Sequence, residues 1–440
     1  MAGDSAQEQY SAKLTTAEEA VAPIAAGEYV SCAMAVAQPP ALLSALADRL
    51  RSGDLSGIRL YYKFALDPLA TTLLADDVIE KVDAHTMFIH GRDHELIKGQ
   101  IKSGRKVVSY VPVHFSQVPR VFEDTIDLDT FLVTVSPMDR GGYFSFGTNN
   151  DFTSVAARRA KRLIVEVNPN MPRVFGQSLL HVSEVSAIIE NDVPLLELGS
   201  SEPSEEGTLI GEIVAPMIPD GSTIQLGIGK LLTGVARALS GHSDLGLHSE
   251  LFTPAIAELV QKGVLTGRRK NLHQHKHVFT FAVGTADTYE FMNDNAAFES
   301  HPSSYVNDVR VIAANDNLVS VNTAIEIDLY GQVNAEFIAG HEFSGSGGQF
   351  DFVKGASMAR NGRSIVALPS TARKGTVSSI VPKVGMVTDI RNDVEWVVTE
   401  FGAVNLRGRS TKERAEALIS IAHPDFRAEL TAAARGVTLI

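Results

Sequence analysis

Glu250 is the residue in this 440-residue sequence whose type and setting most directly suggest chemistry. It follows the mostly apolar stretch 245–249, and Thr253 with Pro254 then predicts the start of a helix. This pattern places the carboxylate at the carboxyl end of a strand, where open α/β sheets carry their sites. A capping or salt-bridged glutamate fits the same pattern, because most glutamates are structural or solvated. His248 is open in the same way, since a lone histidine is more often structural than catalytic.

Two glycine-rich segments could bring backbone amide groups close to a ligand. Residues 224–230 read Ile-Gln-Leu-Gly-Ile-Gly-Lys, a predicted strand that ends in Gly-x-Gly and leads into a helix. Residues 345–352 read Gly-Ser-Gly-Gly-Gln-Phe-Asp-Phe, so that small residues lead into two phenylalanines. Glycine allows a close approach to the backbone, and a helix N-terminus offers N–H groups to an anion or a developing oxyanion. An ordinary tight turn or a flexible loop is the alternative for each segment.

The alternation of strand and helix patterns predicts an α/β protein. Apolar runs without clean alternation are typical of strands buried in a mostly parallel sheet, and they lie at 106–111, 130–135, 163–167, 278–282, 311–314 and 364–368. Amphipathic stretches predict helices at 16–26, 40–51, 153–161, 230–240 and 254–262. The stretch 196–206, rich in Ser, Glu, Gly and Pro, predicts an exposed linker. We therefore expect two domains, 1–210 and 211–440.

Composition excludes several classes of function. The formal net charge of −13 lacks the basic field of a nucleic-acid binder. The sequence contains no run of about 18 apolar residues, so no membrane span is predicted. The polar first residues lack the apolar core of a signal peptide. Cys32 is the single cysteine, which rules out an intramolecular disulfide and fits a reducing compartment. We expect a cytoplasmic protein that binds neither nucleic acid nor membrane.

A series of segments in a fixed order resembles one known family. The segments are 135–139 with 142–147, then 166–172, 220–229, the stretch around Glu250, 305–308, 322–328, 345–352, 398–402 and 422–427. Together they are similar to the acetyl-CoA hydrolase/transferase family, and within it to the 4-hydroxybutyrate CoA-transferase group. The similarity runs from about Leu14 to Leu430, and the order of the segments makes it specific.

The resemblance implies two open, mostly parallel α/β domains of CoA-transferase type with the active site between them. Family members transfer CoA between carboxylic acids through a glutamate nucleophile, which corresponds to Glu250 here. The implied partners are an acyl-CoA and small acids of the 4-hydroxybutyrate, acetate, succinate or itaconate type, and a second copy of the chain in a homodimer. CoA is a substrate, and no tightly bound cofactor is implied. The other residues of the implied substrate and CoA site are Gly227, Ile228, Gly229, Asn307, Gly345, Gly347, Gly348 and Glu400.

The chemistry agrees with these residue types. A carboxylate is a poor nucleophile in water, but it can attack a thioester when it is held close and desolvated. The resulting oxyanions need donors, which glycine turns could supply. No metal is required. The histidines at 273, 275 and 277 lack a clear fourth ligand, so we interpret them as part of a polar loop or strand edge.

Three other functions are alternatives to CoA transfer. If water reaches the enzyme-bound thioester, the same site is an acyl-CoA hydrolase. A non-catalytic acyl-CoA-binding protein is a second alternative, and the presence of Glu250 argues against it. A dinucleotide-binding dehydrogenase requires G-x-G-x-x-G, and Leu232 stands where the third glycine would be.

Basic residues must meet the CoA phosphates, because the chain as a whole is acidic. Two clusters are candidates. One is formed by Arg268, Arg269 and Lys270, and the other by Arg373 and Lys374. Solvated surface charge is the alternative for either cluster.

Overall fold

The computed structural model describes residues 5–199 and 201–440, which form two compact units. The first unit comprises the described residues of Met1–Leu198 together with Phe279–Tyr305. The second comprises those of Gly199–Val278 and Val306–Ile440. The predicted ranges 1–210 and 211–440 do not contain the return of 279–305 to the first unit. Ser200, inside the predicted linker, lies outside the described residues.

The first unit is built on a parallel sheet. Its strands up to residue 198 are β1 (Tyr29–Cys32), β2 (Ile58–Tyr62), β3 (Val82–Thr86), β4 (Val108–Tyr110), β5 (Thr130–Val135), β6 (Tyr143–Ser145), β7 (Arg162–Val167), β8 (Phe175–Gly176), β9 (Leu179–His181) and β10 (Ala187–Glu190). Its helices there are α1 (Ala6–Lys13), α2 (Ala17–Val21), α3 (Pro40–Ser52), α4 (Asp67–Ala70), α5 (Arg92–Ser103), α6 (Val118–Asp124) and α7 (Thr153–Arg159). The main sheet has the order β10-β7-β5-β1-β2-β3-β4, and every pairing in it is parallel. All six residues of β5 are buried, as a central strand covered on both faces requires.

The chain then forms most of the second unit. The next elements are α8 (Glu205–Val214), β11 (Thr223–Leu226), α9 (Lys230–Ala238), β12 (Gly246–His248), β13 (Leu251–Phe252), α10 (Pro254–Gln261) and β14 (His277–Phe279). The returning segment carries β15 (Phe281–Ala282), α11 (Ala286–Met292) and β16 (Phe298–Ser300), and α12 (Ser303–Val306) crosses the boundary. The remaining elements are α13 (Val309–Ala313), β17 (Leu318–Thr323), β18 (Glu326–Asp328), β19 (Val333–Asn334), β20 (Phe337–Ile338), β21 (His341–Glu342), α14 (Gln349–Met358), β22 (Arg363–Ala367), β23 (Thr371–Ala372), β24 (Val377–Ser378), β25 (Ile380–Val381), β26 (Trp396–Thr399), β27 (Gly402–Asn405), α15 (Thr411–Ser420) and α16 (Pro424–Gly436).

The main sheet of the second unit is also mostly parallel. Its strands follow the order β27-β26-β22-β17-β11-β12-β14, and β27 alone among them runs antiparallel to its neighbour. One face packs on a core that includes Ile327, Val366, Val397 and Leu418, each of them fully buried. The predicted class, α/β with two mostly parallel sheets, is confirmed.

Two local predictions were wrong. The run 311–314 was predicted as a strand, but 311–313 lie in helix α13 and Ala314 is its C-cap. The carboxylate of Asp308 accepts the N–H of Arg310 at 2.7 Å and so caps this helix, and a short apolar run cannot distinguish a buried helix from a strand. The predicted linker ends early, because Ser204 accepts the N–H of Gly207 at 3.0 Å and α8 begins at Glu205.

In the part of the chain that the structure describes, no helix combines the length and the apolar character needed to cross a bilayer.

Candidate active site

The carboxyl edge of the second unit's sheet gathers most of the predicted site residues. Strands β11, β12, β17, β22 and β26 are mutually parallel, so the loops that follow them leave the same edge. Gly227 directly follows β11, Glu250 lies two residues beyond β12, and Glu400 directly follows β26. The topology therefore accounts for the grouping of residues that are far apart in sequence.

Three residues meet directly at this edge. Asn307 Nδ2 donates a hydrogen bond to Oε2 of Glu250 at 2.9 Å, and the Asn307 side chain is fully buried. Gly348 lies against both groups. A Cβ atom added to Gly348 would be 1.8 Å from Glu250 Oε2 and 2.0 Å from Asn307 Nδ2. Only a residue without a side chain can hold its backbone this close to the carboxylate, so Glu250, Asn307 and Gly348 form one cluster.

A helix begins where Gly348 contacts Glu250. Gly348 is the N-cap of α14, which has 10 residues, and the preceding Gly347 has φ of +52°, in the left-handed region that favours glycine. Gly345 is buried at the start of the same turn. The amino end of a helix presents backbone N–H groups and partial positive charge, which stabilise a carboxylate or an oxyanion. The half-buried Glu250 carboxylate therefore faces an electropositive backbone.

His248 links β12 to the segment that carries Asn307. Its Nε2 lies 2.8 Å from the carbonyl oxygen of Val306, and the ring is fully buried. Because a carbonyl oxygen can only accept, Nε2 must carry the proton of this hydrogen bond. The sequence left the role of His248 open, and in the structure the ring holds the residue next to Asn307.

The loop 227–229 leaves the strand beside β12. Gly229 has φ of +112° and is the N-cap of α9, while Ile228 is exposed. A Cβ on Gly227 would approach Cδ1 of Leu232 to 2.9 Å, so this turn is tightly packed. Below it the buried amides of Gln225 and Asn322 exchange two hydrogen bonds of 3.0 and 3.1 Å, a support that the sequence analysis missed because it joins two strands.

Glu400 lies in a different part of the edge. Its strand, β26, is four strands away from β12 in the sheet order. Its carboxylate accepts the backbone N–H of Ser370 at 2.9 Å and the hydroxyl of Ser370 at 2.6 Å. The structure thus joins the turn after β26 to the turn after β22, and Ser370 is a partner that the sequence analysis did not identify.

The first basic cluster lies away from Glu250, and its side chains have partners within the protein. Arg268 pairs with Asp244 at 2.5 Å, and Arg269 donates to the carbonyl oxygen of Asp220 at 3.2 Å. Both aspartates precede their strands, so these arginines lie at the amino edge, opposite to Glu250. Lys270 is buried and donates to the carbonyl oxygens of Leu247 and Lys276 at 2.7 and 2.9 Å. Desolvation lowers the pKa of His277 to about 4, and the positive charge of the buried Lys270 acts in the same direction.

The second basic cluster has the opposite character. Arg373 and Lys374 lie in the connection between β23 and β24, which follows β22 and therefore leaves the carboxyl edge. Both side chains are exposed, and both residues have positive φ, of +50° and +59°. This hairpin keeps two cations in solvent on the same edge as Glu250.

Comparisons with known proteins agree with this arrangement. The sequence profile of the acetyl-CoA hydrolase/transferase N-terminal domain matches residues 2–197, and that of the C-terminal domain matches residues 284–434. The 4-hydroxybutyrate coenzyme A transferase of Clostridium kluyveri is 40% identical over 96% of this chain and 97% of its own length. The succinyl-CoA:cyclohexane-1-carboxylate CoA transferase of Geobacter metallireducens is 38% identical over 99% of this chain and 98% of its own.

A solved structure is similar over the same extent. The crystal structure of RipA from Yersinia pestis superposes with a TM-score of 0.96 at 48% identity, covering 99% of this chain and all of that one. Full-length relatives and both domain profiles agree, and the chain is therefore a CoA-transferase that belongs to the acetyl-CoA hydrolase/transferase family.

Proposed function

We propose that this protein transfers CoA from an acyl-CoA to a small carboxylic acid, and that Glu250 carries CoA as a thioester between the two half-reactions. The observation that carries the proposal is the cluster in which Asn307 and Gly348 hold the Glu250 carboxylate at a helix N-terminus. A carboxylate held in this way is positioned for attack, because its orientation is fixed before substrate arrives.

The first half-reaction has two steps. An oxygen of Glu250 attacks the thioester carbonyl, the carbon–sulfur bond breaks, and CoA leaves as a thiolate from a mixed anhydride. The thiolate then attacks the Glu250 side-chain carbonyl, the anhydride bond breaks, and the first acid leaves as its carboxylate. A second acid reverses both steps and leaves Glu250 free. No proton has to be supplied, because each nucleophile and each leaving group is an anion.

The tetrahedral intermediates need hydrogen-bond donors in fixed positions. The amide Nδ2 of Asn307 and the N–H groups at the start of α14 are the donors we assign to them, since Asn307 already donates to Oε2 of Glu250 and Gly348, the N-cap of α14, lies against the same oxygen. Removing one such donor from a preorganised site typically costs roughly 100-fold or more in turnover.

The hairpin that carries Arg373 and Lys374 is our assignment for the CoA phosphates. It is exposed, and it leaves the same sheet edge as Glu250. The acids of the relatives, among them 4-hydroxybutyrate, succinate and cyclohexane-1-carboxylate, define the acceptor class that we propose here. Acetate and itaconate belong to the same class of small carboxylic acids.

The proposal is tested by measuring CoA release and new acyl-CoA formation with and without a panel of acids. Transfer predicts that CoA exchange requires an acceptor and that Glu250→Gln abolishes it. Glu258→Gln is the matched control, because Glu258 is an exposed glutamate of α10 that pairs with Lys262. CoA release that is equally fast without any acceptor would identify a hydrolase. Binding of acyl-CoA with neither reaction would identify a binding protein.

A further inference from the structure

We propose that Asp389 is a positioning residue that holds the turn at Gly347 and Gly348 against Glu250, and that it does so in its ionised form. The inference rests on the proposed function, because it concerns how that nucleophile is kept in place. Asp389 is a buried carboxyl group that does not itself touch Glu250, and it acts on catalysis indirectly.

A direct chain of contacts joins Asp389 to the nucleophile. Gln349 Nε2 donates to Asp389 Oδ2 at 2.8 Å. Gln349 is the first residue of α14 and follows Gly348, whose backbone packs on the Glu250 carboxylate. The Gln349 N–H also donates to the carbonyl oxygen of Ser346 at 3.2 Å, which closes the turn. A displacement of Gln349 therefore displaces Gly348.

Asp389 is anchored on rigid structure at its other end. Its backbone pairs with Val333 of β19, with the Val333 N–H donating to the Asp389 carbonyl at 3.0 Å. The N–H of Thr388 donates to the carbonyl of Val333 at 2.7 Å. Strand β19 is itself paired with β18, so the carboxyl group projects from a fixed sheet toward the turn.

The surroundings of Asp389 are unusual for a carboxyl group. It is fully buried, and its Oδ1 has no hydrogen-bond partner among residues 5–199 and 201–440. The charged groups that face it are Glu336 and Asp393, and the nearby cation Lys354 of α14 is bonded to Asp393 at 2.7 Å. Such burial destabilises a folded chain, so stability alone does not account for the group.

These surroundings bring the titration of Asp389 into the physiological range. Burial raises its pKa to about 7, and the charges of Glu336 and Asp393 act in the same direction against the hydrogen bond from Gln349. An ionised acceptor makes a shorter and stronger hydrogen bond than a neutral one. The hydrogen bond from Gln349 is therefore strong at pH values above the pKa of Asp389 and weaker below it. We expect turnover to fall as the pH drops below about 7.

The test compares kcat and KM for acyl-CoA in Asp389 variants from about pH 6 to about pH 8. Asp389→Ala removes the acceptor of Gln349 and should lower kcat roughly 10- to 100-fold while KM stays nearly unchanged, because a small displacement at the nucleophile is sufficient. Asp389→Asn keeps an oxygen that can accept from Gln349 but cannot ionise. It should recover part of kcat and remove the decline of kcat toward low pH.

Two further variants keep the test decisive. Gln349→Met keeps the length of the side chain without the donor. It should lower kcat as Asp389→Ala is expected to do, and it provides the test if Asp389→Ala does not fold. Asp93→Asn is the matched control, since Asp93 is a fully buried carboxyl of α5 that accepts the hydroxyl of Tyr62 at 2.6 Å and lies outside the strands that anchor Asp389. In this control, kcat should decline toward low pH as it does in the wild type.

The outcomes separate this inference from the proposed function. If kcat of Asp389→Asn declines toward low pH as it does in the wild type, or if Gln349→Met turns over normally, Asp389 is structural and the inference is wrong. If Glu250→Gln remains active, the proposed function fails whatever the Asp389 variants do. Intact mass spectrometry of wild type with acyl-CoA makes the same separation, because a Glu250 adduct can form normally while the positioning role fails.

Discussion

At the residue scale, the carboxylate that we propose as the nucleophile has to be fixed in orientation, and one oxygen of Glu250 is held by two neighbours. Asn307 fixes one oxygen through a hydrogen bond, and the backbone of Gly348 covers the same oxygen. Local pattern offered Glu250 and the glycine turn as candidates, because both lie where one element meets the next. Asn307 came from the resemblance alone, since it lies 57 residues away and no local pattern encodes such a pairing.

The contact of Gly348 with the carboxylate gives a sharp prediction. Gly348→Ala adds a methyl group where Glu250 Oε2 lies at 1.8 Å, so the carboxylate must move. We expect kcat to fall roughly 100-fold, the scale of about 1 Å of misplacement, with a normal circular dichroism spectrum. Gly241→Ala is the control, because nothing lies within 4 Å of a Cβ at that position. Normal turnover of a folded Gly348→Ala enzyme would show that the turn is only a loop.

Asp389 also predicts how stability depends on pH. Its pKa is about 7 in the folded chain against an ordinary 3.8, so the folded state binds more protons than the unfolded state between these values. The contribution of Asp389 to the free energy of unfolding therefore decreases as the pH rises from about 4 to about 7. Asp389→Asn should unfold at higher denaturant concentration than wild type above pH 7, with the difference shrinking toward pH 4. A variant whose midpoint is lower than wild type throughout would contradict the raised pKa.

At the element scale, the site depends on where strands end and helices begin. Strand β12 has only three residues, yet its parallel neighbours fix the edge from which Glu250 emerges. The sequence predicted this edge and the helix after Thr253, whose hydroxyl caps α10. It did not predict helix α13, because four apolar residues fit either structure and the Asp308 cap decides between them.

The same reasoning separates the two basic clusters. Neutralising both residues of the β23–β24 hairpin, as Arg373→Gln with Lys374→Gln, should raise KM for acyl-CoA and leave KM for the acceptor acid nearly unchanged. Each lost phosphate contact is worth roughly 1.5–3 kcal/mol, about 10- to 100-fold in affinity. Arg268→Gln is the control, since Arg268 pairs with Asp244 at the amino edge. An unchanged KM in the hairpin variant would place the phosphates elsewhere.

At the scale of the whole molecule, the sequence predicted two parallel α/β sheets, because buried strands and amphipathic helices are local patterns. The return of 279–305 to the first unit could not be predicted in this way. Which unit a short strand such as β16 joins depends on pairing partners far away in sequence, for example Phe175 and Gly176 of β8. A domain boundary placed where the composition changes assumes that the second domain is one continuous segment. In this chain residues 279–305 interrupt that segment.

The net charge of −13 acts on the whole molecule and makes local cations necessary for a polyanionic substrate. If CoA stays on Glu250 between half-reactions, donor and acceptor never have to be bound together. Initial-rate plots against acyl-CoA at several acceptor concentrations should then give parallel lines, the pattern of ping-pong kinetics. Intersecting lines would require a ternary complex and would rule out the covalent intermediate.

The most direct measurement is the intact mass of the enzyme after incubation with acyl-CoA and no acceptor acid. The account predicts a mass increase equal to CoA less water, a modified peptide that contains Glu250, and loss of the adduct with hydroxylamine. Glu250→Ala should show neither the adduct nor transfer, and Glu258→Gln, which changes an exposed glutamate paired with Lys262, should show both. An adduct that maps to Glu400, or normal transfer by Glu250→Ala, would contradict the assignment of Glu250 as the nucleophile.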